Sequence, residues 1–262
     1  MNNFKPATFI KRLIPFEKIV WQQHTKLKIN KPFVVSISGT SGTGKTTLAK
    51  NIYKYFKDRY KKSRVTLKES GKIYRNIAKK YGFADDLIRF SRKVSSKNMK
   101  IDELVDKTML SYSYNLRYSK GKFRKLNYKY MIAVGRLANL VCGKNAKLRI
   151  FLIADVNEIA KRLSKDKKRE EYGLPVDTIK NSIVKRDMED LKRYEKVYGI
   201  KNYILESMKT SNVVIDTTYL SKKETLGITK KYIDFAIKGK ISRMVGKKNA
   251  KKILKKMYLH IL

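Results

Sequence analysis

Acidic residues are scarce in this chain. Of 262 residues only 22 are Asp or Glu, against 63 Lys or Arg, for a formal net charge of +41. So one-sided a balance raises self-repulsion in any compact state and suits a chain that meets polyanions, nucleic acid first and an anionic membrane surface second. Enrichment in Lys, Asn, Ile and Tyr, as an AT-rich genome produces, accounts for Lys in place of Arg but less readily for so few acids. Cysteine is nearly absent: Cys142 stands alone, which excludes an intrachain disulfide and a multi-cysteine metal site and fits a reducing compartment. The two histidines, His24 and His260, lie far apart with no carboxylates grouped around them, and read as surface or packing residues. There is no run of about 18 apolar residues to cross a membrane, and no secretory apolar segment near the N-terminus. The expected location is the cytoplasm, with an organelle matrix as the alternative. Proline is limited to four residues, and no Pro- or Gly-rich linker interrupts the chain.

A core is nonetheless affordable, because 42% of the residues are hydrophobic. The segment Gly39-Thr40-Ser41-Gly42-Thr43-Gly44-Lys45-Thr46 fits the phosphate-binding pattern G-x-x-x-x-G-K-[ST] at every fixed position. Its flanks suit it: Phe33 to Ser38 reads as a short buried strand, and Thr47 to Tyr53 opens a helix. Glycines let backbone N–H groups curl around phosphate oxygens, and the helix N-terminus adds a favourable dipole. In such a loop Lys45 reaches the outer phosphates and Thr46 holds Mg²⁺.

Further apolar runs are expected as strands at 64–67, 130–134, 148–154 and 213–216, spaced by helical patterns over 72–120, 157–208 and 222–238. Five such strands separated by helices predict an α/β fold: a P-loop NTPase three-layer sandwich with a five-stranded parallel sheet and a helical lid. Three regions follow: a basic N-terminal extension over 1–30, a kinase-like domain over 31–238 and a basic amphipathic tail over 239–262. That tail holds no acid, and its apolar and lysine positions are spaced for a helix with one charged face. It suits RNA backbone, an acidic membrane or a partner groove, or equally a helix packed on the domain. In 112–130, Tyr and Phe interleave with Lys and Arg. Such a mixture can stack on bases and neutralise phosphates, or pack its rings inward with the cations in water.

Phosphoryl transfer needs a phosphate cradle, Mg²⁺ and arginines spread over the developing charge. Arg162, Arg169, Arg186 and Arg193 supply such arginines in the charged helical stretch, with Asp187, Glu189, Asp190 and Glu195 among them. A solvated, salt-bridged helix pair would show the same pattern.

From about 32 to 237 the sequence resembles the cytidylate kinases, especially the short archaeal-type enzymes among the P-loop nucleoside monophosphate kinases. Four stretches carry the resemblance: Ile37 to Thr47; Glu69-Ser70-Gly71-Lys72-Ile73-Tyr74-Arg75-Asn76-Ile77-Ala78, similar to S-G-x-x-F-R-x-x-A; Gly135-Arg136-Leu137-Ala138; and Lys185-Arg186-Asp187 through Arg193 to Ile200, followed by Val214-Ile215-Asp216-Thr217. The resemblance implies ATP and Mg²⁺ as cofactors and CMP or dCMP as acceptor. It implies that the loop residues Gly39, Thr40, Ser41, Gly42, Thr43, Gly44, Lys45, Thr46 and Thr47 bind the donor, and that Ser70, Gly71, Arg75, Asp102, Asp106 and Arg136 form the acceptor pocket. Lys45, Arg162, Arg169, Arg186 and Arg193 would stabilise the transferring group, the arginines acting as lid and core residues that close on the donor phosphates. One position departs from the family. An Asp or Glu usually precedes the Gly-Arg step, near the Mg²⁺ waters, and here that residue is Val134. Asp102, Asp106 and Asp216 are the candidates to compensate. The expected activity is therefore (d)CMP phosphorylation. The alternative is a nucleotide-binding, RNA- or ribosome-associated protein on a weakened kinase scaffold.

Overall fold

The computed structural model describes residues 4–61, 63–80, 83, 100–167, 170–241 and 243–257. Five strands form the central sheet: β1 (Phe33–Gly39), β2 (Val65–Glu69), β5 (Tyr130–Val134), β6 (Ala146–Ile153) and β7 (Val213–Asp216). They lie in the order β2-β5-β1-β6-β7, with every pairing parallel. This is the expected fold, and β5 and β7 occupy the expected residues. A parallel sheet needs cover on both faces, which is why its strands are apolar throughout rather than alternating. Side-chain alternation still decides which neighbour each residue meets. Val35 and Ile37 face one core layer with Leu48, Ile52 and Phe56 of α2 (Lys45–Arg59) and Ile233 of α9 (Lys222–Ile237). Val34 faces the other layer, which holds residues of α1 (Ile14–Lys26), α4 (Lys100–Ser113), α5 (Ala138–Cys142), α8 (Tyr203–Thr210) and α10 (Gly246–Met257). The remaining helices are α3 (Ser70–Lys80), α6 (Val156–Lys165) and α7 (Val176–Tyr198).

Both basic ends dock on this second layer. Ile10, Leu13, Phe16 and Val20 of the N-terminal segment join the core. The fully buried Glu17 carboxylate holds the segment in place by accepting the Ala7 and Thr8 N–H groups and the Tyr114 hydroxyl, at 3.0, 3.1 and 2.6 Å. At the other end Ala250 and Leu254 of α10 are fully buried, and Val245 N–H donates to the Ser211 carbonyl. Val245 and Ile253 pack partly buried on the same core, while Met244, Lys247, Lys248, Lys251, Lys252 and Lys255 stay exposed.

One segment corrects the sequence reading. Residues 116–120, taken as the end of a helical stretch, belong to an antiparallel hairpin of β3 (Leu116–Ser119) and β4 (Lys122–Lys125). Asn115 ends the preceding helix with φ of 58°, and its side chain holds the backbone of Asn30 and Tyr128, fixing the hairpin's base. Tyr118 and Phe123 pair across the ladder and pack on Phe16, so these aromatics face inward.

Candidate active site

In a parallel sheet of this kind, ligands collect at the carboxyl ends of the strands. Here the carboxyl end of β1 runs directly into the glycine-rich loop, and α2 begins at Lys45. Gly44 takes φ of 87° at the N-terminus of α2, a left-handed turn that only glycine adopts freely. Gly42 is required for space as well as conformation, since a Cβ there would stand 2.2 Å from the Ile159 side chain. The loop is further tied by Thr43, whose hydroxyl donates to the Thr40 carbonyl at 3.0 Å. Thr217 reaches the same loop from the end of β7, its hydroxyl donating to the Thr43 carbonyl at 3.3 Å. Thr46 stands exposed in the first turn of α2.

Lys45 folds back and donates to the Thr40 carbonyl. Burial, reinforced by the nearby Arg136 guanidinium, lowers its pKa to about 7, only partly offset by Asp187 and Asp190. An anion in the loop would reverse that balance, because it replaces lost hydration with opposite charge.

Arg136 is the hub. It follows β5 through Gly135, where an added Cβ would clash with the Ser70 hydroxyl at 2.2 Å, so the two strand ends lie in contact. Its guanidinium donates to the Ser41 hydroxyl at 2.7 Å, lies 3.6 Å from Asp187 and pairs with Asp190. Asp187 in turn accepts both the Ser41 hydroxyl, at 2.8 Å, and the Ser41 N–H, at 3.2 Å. Asp190 accepts from Arg193 at 2.7 Å, and Arg193 lies 3.7 Å from Asp102 of α4. Asp106, one turn on, accepts the Tyr198 hydroxyl at 2.6 Å, and its burial raises its pKa to about 7. The result is one continuous chain of charge from the phosphate loop through Arg136 to α7 and α4. A cleft of about 460 Å³ opens along it, lined by Arg136, Arg186, Asp190, Arg193 and Lys196 among others.

The structure therefore brings Ser41, Lys45, Arg136, Arg193, Asp102 and Asp106 together, with Arg186 on the rim of the cleft. Ser70 touches Gly135, while Gly71 and Arg75 are exposed on α3 just beyond it. Arg162 stands apart from the α7 arginines: it donates to the Thr217 carbonyl at 2.7 Å and to the Thr218 carbonyl, bracing the loop that supports Thr43. Arg169 lies outside the described residues. Two members were undervalued in the sequence. Asp187 and Asp190 sit on the buried stripe of α7, with Ile179, Ile183, Tyr194 and Val197. Acids on an apolar helical stripe are costly unless paired, and that helical spacing was the available signal.

A family model described as the cytidylate kinase-like family matches residues 34–219. The chain belongs to this family. Cytidylate kinase of Pyrobaculum neutrophilum is 31% identical over 213 residues, covering 81% of this chain and 98% of that protein. Cytidylate kinase of Pyrococcus abyssi is 30% identical over 203 residues, covering 77% and 93%. Among solved structures, shikimate kinase from Aquifex aeolicus covers 77% of this chain and 96% of its own at 13% identity and a TM-score of 0.42, too slight a likeness to carry an argument about function. The family match includes the β3–β4 hairpin but leaves out α1, α9 and α10. No helix among the described residues is long and apolar enough to cross a membrane.

Proposed function

We propose that the protein is an ATP-dependent nucleoside monophosphate kinase that phosphorylates CMP or dCMP. The observation that supports this reading is the bond from Arg136 to Ser41, which holds against the phosphate loop the arginine that the resemblance assigns to the acceptor phosphate. A guanidinium there can bridge an acceptor phosphate and the γ-phosphoryl group. An oxygen of the acceptor phosphate attacks the γ-phosphorus as the bond to the β–γ bridging oxygen breaks, leaving ADP. Lys45, Arg186 and Arg193 spread the charge that develops on the transferring oxygens. Asp190 and Asp102 aim the two central arginines, and the resemblance assigns Arg169 to the same lid. The cytidine preference rests on the cytidylate kinase relatives.

The residues present fit Mg²⁺. Among the described residues no group of three His, Cys, Asp or Glu could hold a metal, and Thr46 offers one hydroxyl. This suits an ion held mainly by nucleotide phosphates and water. When bound, the ion neutralises charge on the β- and γ-phosphate oxygens.

The test is transfer from ATP·Mg to a panel of CMP, dCMP, UMP, AMP and GMP. Turnover is expected on a cytidine monophosphate, falling at least 100-fold in Lys45→Ala. No transfer to any acceptor, with ATP still bound, would overturn the reading. A second reading concerns the surface remote from the cleft. The hairpin sets Arg117 directly opposite Arg124, both exposed, with Lys122 on the same face. No acid occurs between Asp106 and Asp155, so this face is suited to a phosphate backbone such as RNA.

A further inference from the structure

We propose that Glu69 supplies, from the neighbouring strand, the carboxylate that Val134 lacks, and that it orders the water shell of the nucleotide-bound Mg²⁺. The proposal rests on the kinase reading of the cleft. β2 and β5 run parallel in register, and Glu69 is the direct partner of Val134. Partners in register point to the same face of a sheet, and the flanking residues fix which face this is. Leu67 and Val134 both pack in the layer that contains α2, the helix of the phosphate loop. Lys68, between Leu67 and Glu69, points to the opposite face, its ammonium over the Tyr112 and Tyr128 rings at 4.3 and 5.0 Å. Glu69 thus stands beside the buried Val134, on the α2 side, at the carboxyl edge where ligands collect. Contact between Ser70 and Gly135 shows that the two strand ends stay together beyond the sheet.

Glu69 is half-buried, and its carboxylate makes no hydrogen bond or ion pair with a described residue, in a chain where cations outnumber acids almost threefold. A carboxylate left unpaired amid so many cations is open to an incoming one. The three alternatives suggested by the sequence are otherwise engaged. Asp102 faces Arg193, and Asp106 accepts from Tyr198. Asp216 accepts from Thr218 at the end of β7, the far edge strand, on the opposite side of β1 from β5. Carboxylates that hold metal-bound groups in place typically change metal affinity by 10–100-fold when removed.

The experiment compares Glu69→Gln, Val134→Glu and the double variant with the parent. Two quantities are measured: ATP affinity by calorimetry with and without Mg²⁺, and Mn²⁺ binding to the protein–ATP complex by electron paramagnetic resonance. Glu69→Gln should weaken Mn²⁺ binding about tenfold and shrink the Mg²⁺-dependent gain in ATP affinity by the same factor, leaving metal-free ATP affinity intact. Val134→Glu alone should change little, yet restore metal binding in the Glu69→Gln background. Unchanged metal binding in Glu69→Gln overturns the proposal. So does a loss of metal-free ATP affinity equal to the loss with Mg²⁺, which marks a merely structural role. Should the double variant fold poorly, the single Glu69→Gln measurement still decides. Neither readout uses an acceptor, so absence of transfer to every monophosphate would overturn the kinase reading while the metal data separately judge Glu69.

Discussion

Lys45 shows how one residue links folding to chemistry. Within the loop its ammonium is desolvated beside Arg136, and its pKa is lowered to about 7. Phosphate oxygens around it would raise that value, so the bound state holds more protons than the free state above pH 7. By linkage, nucleotide affinity must then fall as pH rises through 7 to 9, approaching tenfold per pH unit at the upper end. Calorimetry of ATP binding at pH 8 in buffers of differing ionisation enthalpy should show uptake of close to one proton. Lys45→Met should abolish that uptake, whereas uptake persisting in the variant would assign the proton to another group. The sign for the fold is the reverse of the usual lysine case. Its folded pKa lies below the unfolded one, so without nucleotide added the stability of the protein rises with pH between about 7 and 10.5 from this group.

At the scale of elements, the two ends of the chain behave as structure. Leu254 of α10 is fully buried against the core that includes Met208 of α8. Leu254→Ala should cost about 2–4 kcal/mol, and at 2–4 °C per kcal/mol for a chain of this size the midpoint of a thermal melt should fall by roughly 5–15 °C. A shift under 1 °C would mean that α10 is a loose appendage. The sequence carried the phosphate loop and the strands at 130–134 and 213–216, because each depends on local pattern: glycines and short apolar runs. It also showed that 239–262 is amphipathic, but whether an apolar face meets a membrane, a partner or its own domain depends on contacts distant along the chain. The hairpin was missed for a related reason. Its four-residue strands alternate too briefly to stand out, and Asn115 makes the turn with a left-handed backbone that its side-chain bonds secure from both sides. Glu69 was visible only as a residue of the acceptor motif until strand register set it beside Val134.

For the whole molecule, a net charge of +41 has to be reconciled with a stable fold. The hairpin offers the sharpest test, because like charges directly opposite on a ladder destabilise it by a few tenths to about 1 kcal/mol. Arg117→Thr should therefore raise the melting midpoint slightly in the absence of polyanion, by about 1–3 °C. The hairpin enters β5 at the amino end of the sheet, opposite the phosphate loop, and α10 starts beside Ser211, just ahead of β7 on that same edge. A phosphate backbone lying there would leave the cleft open, so the Arg117→Thr/Arg124→Thr variant should keep its transfer rate. Anisotropy of a labelled single-stranded RNA 20-mer across 50–200 mM salt then reads the contact directly. Affinity should fall steeply with salt, and losing two phosphate contacts should reduce the slope of log K against log salt by about 1.4. Anionic vesicles should not be bound by the same face, since Tyr118 and Phe123 point inward and Ala250 and Leu254 of α10 are buried. An unchanged salt slope in the double variant would remove the hairpin from the contact. A variant that gains stability, loses RNA affinity and keeps its activity would show that the charge opposes the fold at one edge of the sheet and serves a polyanion there, independently of the chemistry at the other.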